Sequence, residues 1–161
     1  MKKVLVPMDL SPVSEEALRY AVDCACANTR QLILVHVVDY LDIGSLGLVG
    51  LADREQELRE EMVKEAQQGL EKLARKYARE GLIFKTRIVF DRPWRGIINV
   101  AIEEAVDAIV MGSHGRGKVA ESLLGSVAGR VVHEAPVPVT IIRPKKMRER
   151  LINHWRHRGR E

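Results

Sequence analysis

The chain has 161 residues, 46% of them hydrophobic and 30% charged. That length and apolar share suit one packed domain needing neither metal nor disulfide, and they exclude a chain disordered throughout. No run approaches the roughly 20 unbroken apolar residues that a bilayer-crossing helix needs. The formal charge of +4 is unevenly placed: residues 145–161 hold seven Lys/Arg and two acids, while the other 144 residues hold 19 basic and 20 acidic groups. Basicity therefore belongs to a C-terminal tail, and the body lacks the basic excess usual in a nucleic-acid-binding domain.

Residues 3–8 are a short apolar run that predicts a buried strand ending before Asp9. Ser11-Pro12 then opens a helix, with Ser as N-cap, Pro at the first helical position and the stripe Leu18, Ala21, Val22, Ala25. Cys24 and Cys26 are too few for a zinc site and badly spaced for a disulfide, so they read as small buried residues in a reducing compartment. No leader pattern precedes the first strand, and the expected location is the cytosol. A second buried strand spans 32–38. Residues 40–52 form an apolar, glycine-broken loop suited to packing, partner contact or a lid. A long helix follows over 53–80, with Gly81 where a C-cap belongs.

The third strand is predicted over 82–90, a helix over about 94–105 after Pro93, and a fourth strand over 107–111. That strand runs into Gly112-Ser113-His114-Gly115-Arg116-Gly117. A helix over about 119–134 and a strand over 139–142 complete the order β-α-β-α-β-α-β-α-β. Strict alternation with short apolar strands predicts an α/β fold, a doubly wound parallel sheet with helices on both faces. Ligands of such sheets sit beyond the carboxyl ends of the strands where strand order reverses. The ends of strands 1, 2 and 4 thus become the candidate site. Residues 1–144 form the predicted domain, and 145–161 a basic amphipathic tail with Met147, Leu151 and Trp155 at four-residue steps and Ile152 alongside. Such a tail can dock on its own body, a partner, nucleic acid or an anionic membrane.

Glycines after a strand allow close ligand approach, and free amides before a helix favour an anion. Gly125-Ser126 can join the Gly112–Gly117 loop only if the chain folds back between them. By spacing alone, phosphate binding and ordinary turn chemistry both remain open. Gly112 to Lys118 spells the first part of a Walker loop, but Val119 stands where magnesium needs Ser or Thr, and no dinucleotide fingerprint follows strand 1. His36 reads as a satisfied histidine within an apolar strand; Asp9 could also cap the first helix or accept a loop amide. No nucleophile elbow or water-positioning partner emerges for catalysis.

The spacing G-x2-G-x9-G-[S/T], met by Gly112, Gly115, Gly125 and Ser126, resembles the signature of the universal stress protein family, ATP-binding branch. Val-Leu-Val-Pro-Met-Asp-Leu-Ser, Leu-Val-His-Val-Val-Asp and Ala-Pro-Val-Pro-Val-Thr-Ile-Ile-Arg extend the resemblance over about residues 2–143. It implies a five-stranded sheet of order 3-2-1-4-5 and a homodimer through the last strand. It also implies an adenine nucleotide, ATP or else ADP or AMP, with Mg2+ or Mn2+ bridging its phosphates. Carried over by motif, Pro7, Met8 and Asp9 would line the adenosine, with Asp9 accepting from ribose hydroxyls, and Val37 would touch adenine. Gly112 and Gly115 would flank ribose and phosphate, with Ser113, His114 and Arg116 of the same loop as candidate contacts; His114 suits a turn or solvent, and Arg116 plain solvation, as well as phosphate. Gly125, Ser126 and Val127 would face the phosphates. The implied function is a stress-response switch with at most slow hydrolysis and an unknown protein partner. A non-nucleotide interaction protein of the same fold and an adenylate-cleaving or adenylate-transferring enzyme are the alternatives. Asp91 departs from the family's Gly-x-Pro, and Met8 from its small or hydroxyl residue.

Overall fold

The computed structural model describes residues 2–25, 29–39, 52–115 and 124–158. Five strands alternate with helices: β1 Lys2–Pro7, α1 Pro12–Asp23, β2 Thr29–Val38, α2 Ala52–Lys76, β3 Ile83–Phe90, α3 Pro93–Glu103, β4 Ala108–Gly112, α4 Ser126–Glu134, β5 Val139–Ile142 and α5 Lys145–Arg158. The strands form one parallel sheet in the order β3-β2-β1-β4-β5. The fold class and the strand order implied by the resemblance are both present. None of the described helices is long and apolar enough to cross a membrane.

Period-two alternation sorts the strand residues between two cores. Leu5, Ile33, Val35, Ile109 and Met111 pack with Ile97, Val100, Ala101, Ala128 and Val131 beneath α3 and α4. Val6, Leu32, Leu34 and Val110 pack with Ala17, Leu18, Ala21, Val22 and Leu70 beneath α1 and α2. The sheet is thus a filled layer between two helical layers. Because β1 is hydrogen-bonded to both β2 and β4, order reverses at β1, and the β1 and β4 ends flank the resulting crevice.

Local chemistry sets the helix ends. Ser11 caps α1, its side chain accepting from the Ser14 amide at 3.2 Å, and Pro12 follows as expected. The helix stops at Asp23, so Ala25 lies beyond it. Cys24 is exposed rather than buried, because it occupies the C-cap, where its amide donates to the Tyr20 carbonyl. Cys26 and the 40–51 loop lie outside the described residues. The long helix ends at Lys76, short of the predicted Glu80. Gly81 is not its cap: it takes φ +77° in the turn before β3, with nothing near its missing Cβ, so backbone conformation alone calls for glycine there.

Candidate functional site

Two chain reversals build the crevice. At the end of β1, the Met8 amide donates to the Val35 carbonyl at 2.8 Å, holding the loop to β2 for one residue past the strand. The Met8 carbonyl lies 2.7 Å from His36 Nδ1. A carbonyl can only accept, so Nδ1 carries the proton, and His36 is a satisfied histidine that clamps the loop. Asp9 Oδ1 then accepts the Ser11 amide at 3.0 Å. Between them Leu10 takes φ +62°, rare for a leucine. Its side chain lies over Gly69 of α2, where an added Cβ would meet Leu10 Cδ1 at 2.8 Å. Sequence reading missed this pairing; the signal was a glycine in the middle of a strong helix.

The second reversal follows β4. Ser113 is fully buried and donates its amide to the Ile142 carbonyl at 2.8 Å, while its hydroxyl lies 3.0 Å from His114 Nδ1. Gly115 comes against Asp9: a Cβ there would lie 2.7 Å from Asp9 Oδ2. The chain then folds back, and the Gly125 amide donates to the Ser113 carbonyl at 2.8 Å. Gly125 is the N-cap of α4, in extended conformation, with no side-chain cap bond. The helix's first internal bond runs from the Gly129 amide to the Gly125 carbonyl. Ser126, Val127 and Ala128 thus open a helix whose first amides have no intrahelical acceptor, at its positive dipole end.

The nominated residues separate by what each presents. Asp9, Ser113, His114, Gly115 and Gly125 meet around the β1 and β4 ends, and Ser126 and Val127 follow in the first turn of α4, the Val127 side chain packed against the core beneath α3 and α4. Arg116, with Gly117 and Lys118, falls outside the described residues. Met8 is expected to line adenosine, but its side chain is buried in the core with α1 and α2, so it offers the site backbone only. Pro7 is the last residue of β1 and is buried. Val37 lies over Gly96 of α3, its Cγ1 2.9 Å from a Cβ built there. Gly112 answers a packing need: its Cβ would meet Val13 Cγ1 of α1 at 2.8 Å. Gly125 is expected to present its amide to phosphate, yet that amide is used by Ser113. Of the predicted helix over 119–134, residues 119–123 lie outside the described residues; Leu124 and Gly125 are non-helical, and α4 opens at Ser126.

Asp91, the departure beside the site, turns onto its own helix. It accepts from the Arg92 amide at 2.7 Å, Arg95 Nε at 2.6 Å and Asn99 Nδ2 at 3.3 Å. Arg95 above all holds its carboxyl below the ordinary aspartate value. The added acid therefore organises the start of α3. Among the described residues no cluster of three or more His, Cys, Asp or Glu is arranged for a metal.

A sequence profile of the universal stress protein family matches residues 1–143. The chain belongs to this family. Among universal stress proteins, MJ0577 of Methanocaldococcus jannaschii is 33% identical over 155 residues, covering 89% of this chain and 96% of that one. Its solved structure superposes with a TM-score of 0.80 at the same identity and coverage. A universal stress protein solved in complex with cAMP has a TM-score of 0.59 at 22% identity, covering 88% of this chain and 96% of that one. One from Archaeoglobus fulgidus in complex with dAMP has 0.57 at 22%, covering 88% and 97%. At that identity the last two are likenesses of fold. The family matches the resemblance read from the glycine spacing.

Proposed function

We propose that this universal stress protein binds an adenine nucleotide, ATP foremost, in the crevice between the β1 and β4 ends, and serves as a nucleotide-dependent switch. One observation carries the reading: the Asp9 carboxylate and the open N-terminus of α4 are brought to the same crevice by the Gly115 and Gly125 approaches. A carboxylate suits vicinal ribose hydroxyls, and uncapped amides beside a serine hydroxyl suit phosphate oxygens. Neither requirement is met by the Gly112 amide region, which packing explains.

The residues divide the work. Asp9 holds ribose, oriented by its bond to the Ser11 amide. Val37 offers an apolar wall for adenine, and His36 fixes the Met8 backbone beside it. Ser126 and Val127 meet the phosphates; a divalent ion would be held chiefly by phosphate oxygens. The cAMP and dAMP complexes of the same fold are consistent with this chemistry. With no residue among those described identified to orient water, turnover is at most slow. Binding energy instead shifts the balance of two conformations or partner states. The protein acts as a homodimer through β5, whose one edge is left open by the sheet order.

Mass spectrometry of nucleotide released from the purified, denatured protein, followed by calorimetric titration with ATP, tests the proposal. Co-purified ATP or ADP, or saturable heat lost in Asp9→Ala, supports it. An empty protein that gives neither heat nor thermal shift with millimolar ATP refutes it in favour of the non-nucleotide interaction protein. Rapid multiple turnover would instead favour the adenylate-cleaving or adenylate-transferring enzyme.

A further inference from the structure

The C-terminal helix is hardly attached to the body. Met147 is the one buried residue of α5. Arg148 reaches Glu16 of α1 at 3.5 Å. From Ile152 onward the described helix is exposed, with Trp155 at 66%. Its 14 residues carry six Lys/Arg against the single acid Glu149. They extend about 21 Å.

Beside the helix lies a cleft of about 520 Å3 between α1 and the end of β5. Arg19, Arg143, Arg148 and Tyr20 line it, together with Glu16 and Asp23. Both acids face cations already: Glu16 meets Arg148, and Asp23 meets Arg79 at 2.9 Å. Arg19 and Arg143 make no ion pair within the described residues, so the cleft keeps a positive surplus. Tyr20 leaves 44% of its surface exposed there. The cleft and the exposed outer half of α5 both present arginines, with Tyr20 in the one and Trp155 on the other.

We infer that this α1–β5–α5 corner binds single-stranded nucleic acid. Backbone phosphates would follow Arg19, Arg143 and Arg156, and unpaired bases would stack on Tyr20 and Trp155. Cations spaced along a groove with aromatic platforms are what a single strand requires. Arginine predominates over lysine on α5, which suits planar phosphate and base contacts. An anionic membrane fits less well. A helix lying in a bilayer surface needs a charge-free apolar face. Met147 is spent on the body, and at about 100° per residue Arg148 and Arg158 each fall about 20° from the Leu151–Trp155 line. The inference shares no residue with the nucleotide crevice, but its cleft borders β5, so it requires that a β5-paired dimer leave Arg19, Tyr20 and Arg143 open to the strand.

The test is fluorescence anisotropy of the full-length protein with labelled single-stranded RNA and DNA and the matching duplexes. With about three phosphates neutralised by Arg19, Arg143 and Arg156, single-strand affinity should fall about twentyfold between about 50 and 200 mM salt. Arg19→Gln and Arg156→Gln should each flatten the log–log slope by about 0.7, and Trp155→Ala should weaken binding about tenfold. Unchanged melting temperature and ATP response in these surface variants exclude misfolding. No binding at about 150 mM salt, tighter binding of duplex than of single strand, or indifference to Arg19→Gln and Trp155→Ala would overturn the inference. So would binding to phosphatidylglycerol vesicles without binding to the oligonucleotides.

Discussion

Gly115→Ala probes the contact on which the proposed nucleotide site depends. The new methyl carbon would stand 2.7 Å from Asp9 Oδ2, closer than such carbons approach any atom. Asp9 must yield, yet its other oxygen accepts the Ser11 amide at 3.0 Å, and Ser11 caps α1. Losing one hydrogen bond to a charged acceptor costs about 1.5 kcal/mol. For a domain of this size that lowers the melting temperature by roughly 3–6 °C. Nucleotide affinity should fall by tenfold or more, because the carboxylate meant for ribose has turned away. Asp9→Ala alone loses the same bond. In the Asp9→Ala background, Gly115→Ala should therefore cost almost nothing, giving a coupling of about 1 kcal/mol or more between adjacent sites. Thermal melts and calorimetric titrations of the four proteins complete the cycle. If Gly115→Ala costs as much without the carboxylate as with it, the cause is not Asp9 and the reasoning fails.

Gly69→Ala would ordinarily stabilise a helix interior by about 1 kcal/mol, but here it should be neutral or destabilising, because the added carbon meets Leu10 Cδ1 at 2.8 Å. In a Leu10→Ala background the gain should reappear in chemical denaturation. Glu104 is held below its ordinary pKa, first by Lys85 and then by Arg87. Its contribution is thus complete above about pH 4.5 and is lost as pH falls through the lowered folded value. Glu104→Gln should cost about 1 kcal/mol at neutral pH and flatten the acid limb of a pH–melting curve; an unchanged limb refutes the pairing. Asp91→Ala should cost about 1 kcal/mol by freeing the start of α3, while ATP affinity holds; a large affinity change would return Asp91 to the site.

Most of the fold was legible because the strands are short, apolar and regularly punctuated. Ser11-Pro12 marked the α1 start, and the strand ends fell within a few residues of those observed. Errors arose where local pattern and tertiary demand diverge. The predicted helix ran through Leu124 and Gly125, whereas Gly125 is the N-cap, its amide bonded to the Ser113 carbonyl, so that α4 opens at Ser126. Cys24 looked like a core residue by type but sits one step past a helix end. Met8 follows a strand whose alternation points it into the α1–α2 core, so its motif position gave no guide to its side chain. The site was legible as a place, the β1, β2 and β4 ends, but not as a division of roles, since which atom faces the crevice depends on contacts between residues far apart in sequence.

The motif glycines show why one spacing can mix two kinds of necessity. Gly112 clears Val13 so that α1 can lie on β4. Gly125 lets α4 begin against the Ser113 carbonyl, 3.1 Å from where its Cβ would be. Both would be required of this loop with no ligand at all. Gly112→Ala should therefore destabilise the domain, be relieved by Val13→Ala, and leave affinity nearly intact in the folded fraction. Gly125→Ala should do both kinds of damage, because the residue that packs on Ser113 also aims the first turn of α4 into the crevice. A melt and a titration on each variant separate the two effects. If Gly112→Ala instead abolishes ATP binding at undiminished stability, Gly112 belongs to the ligand and the packing account of it is wrong.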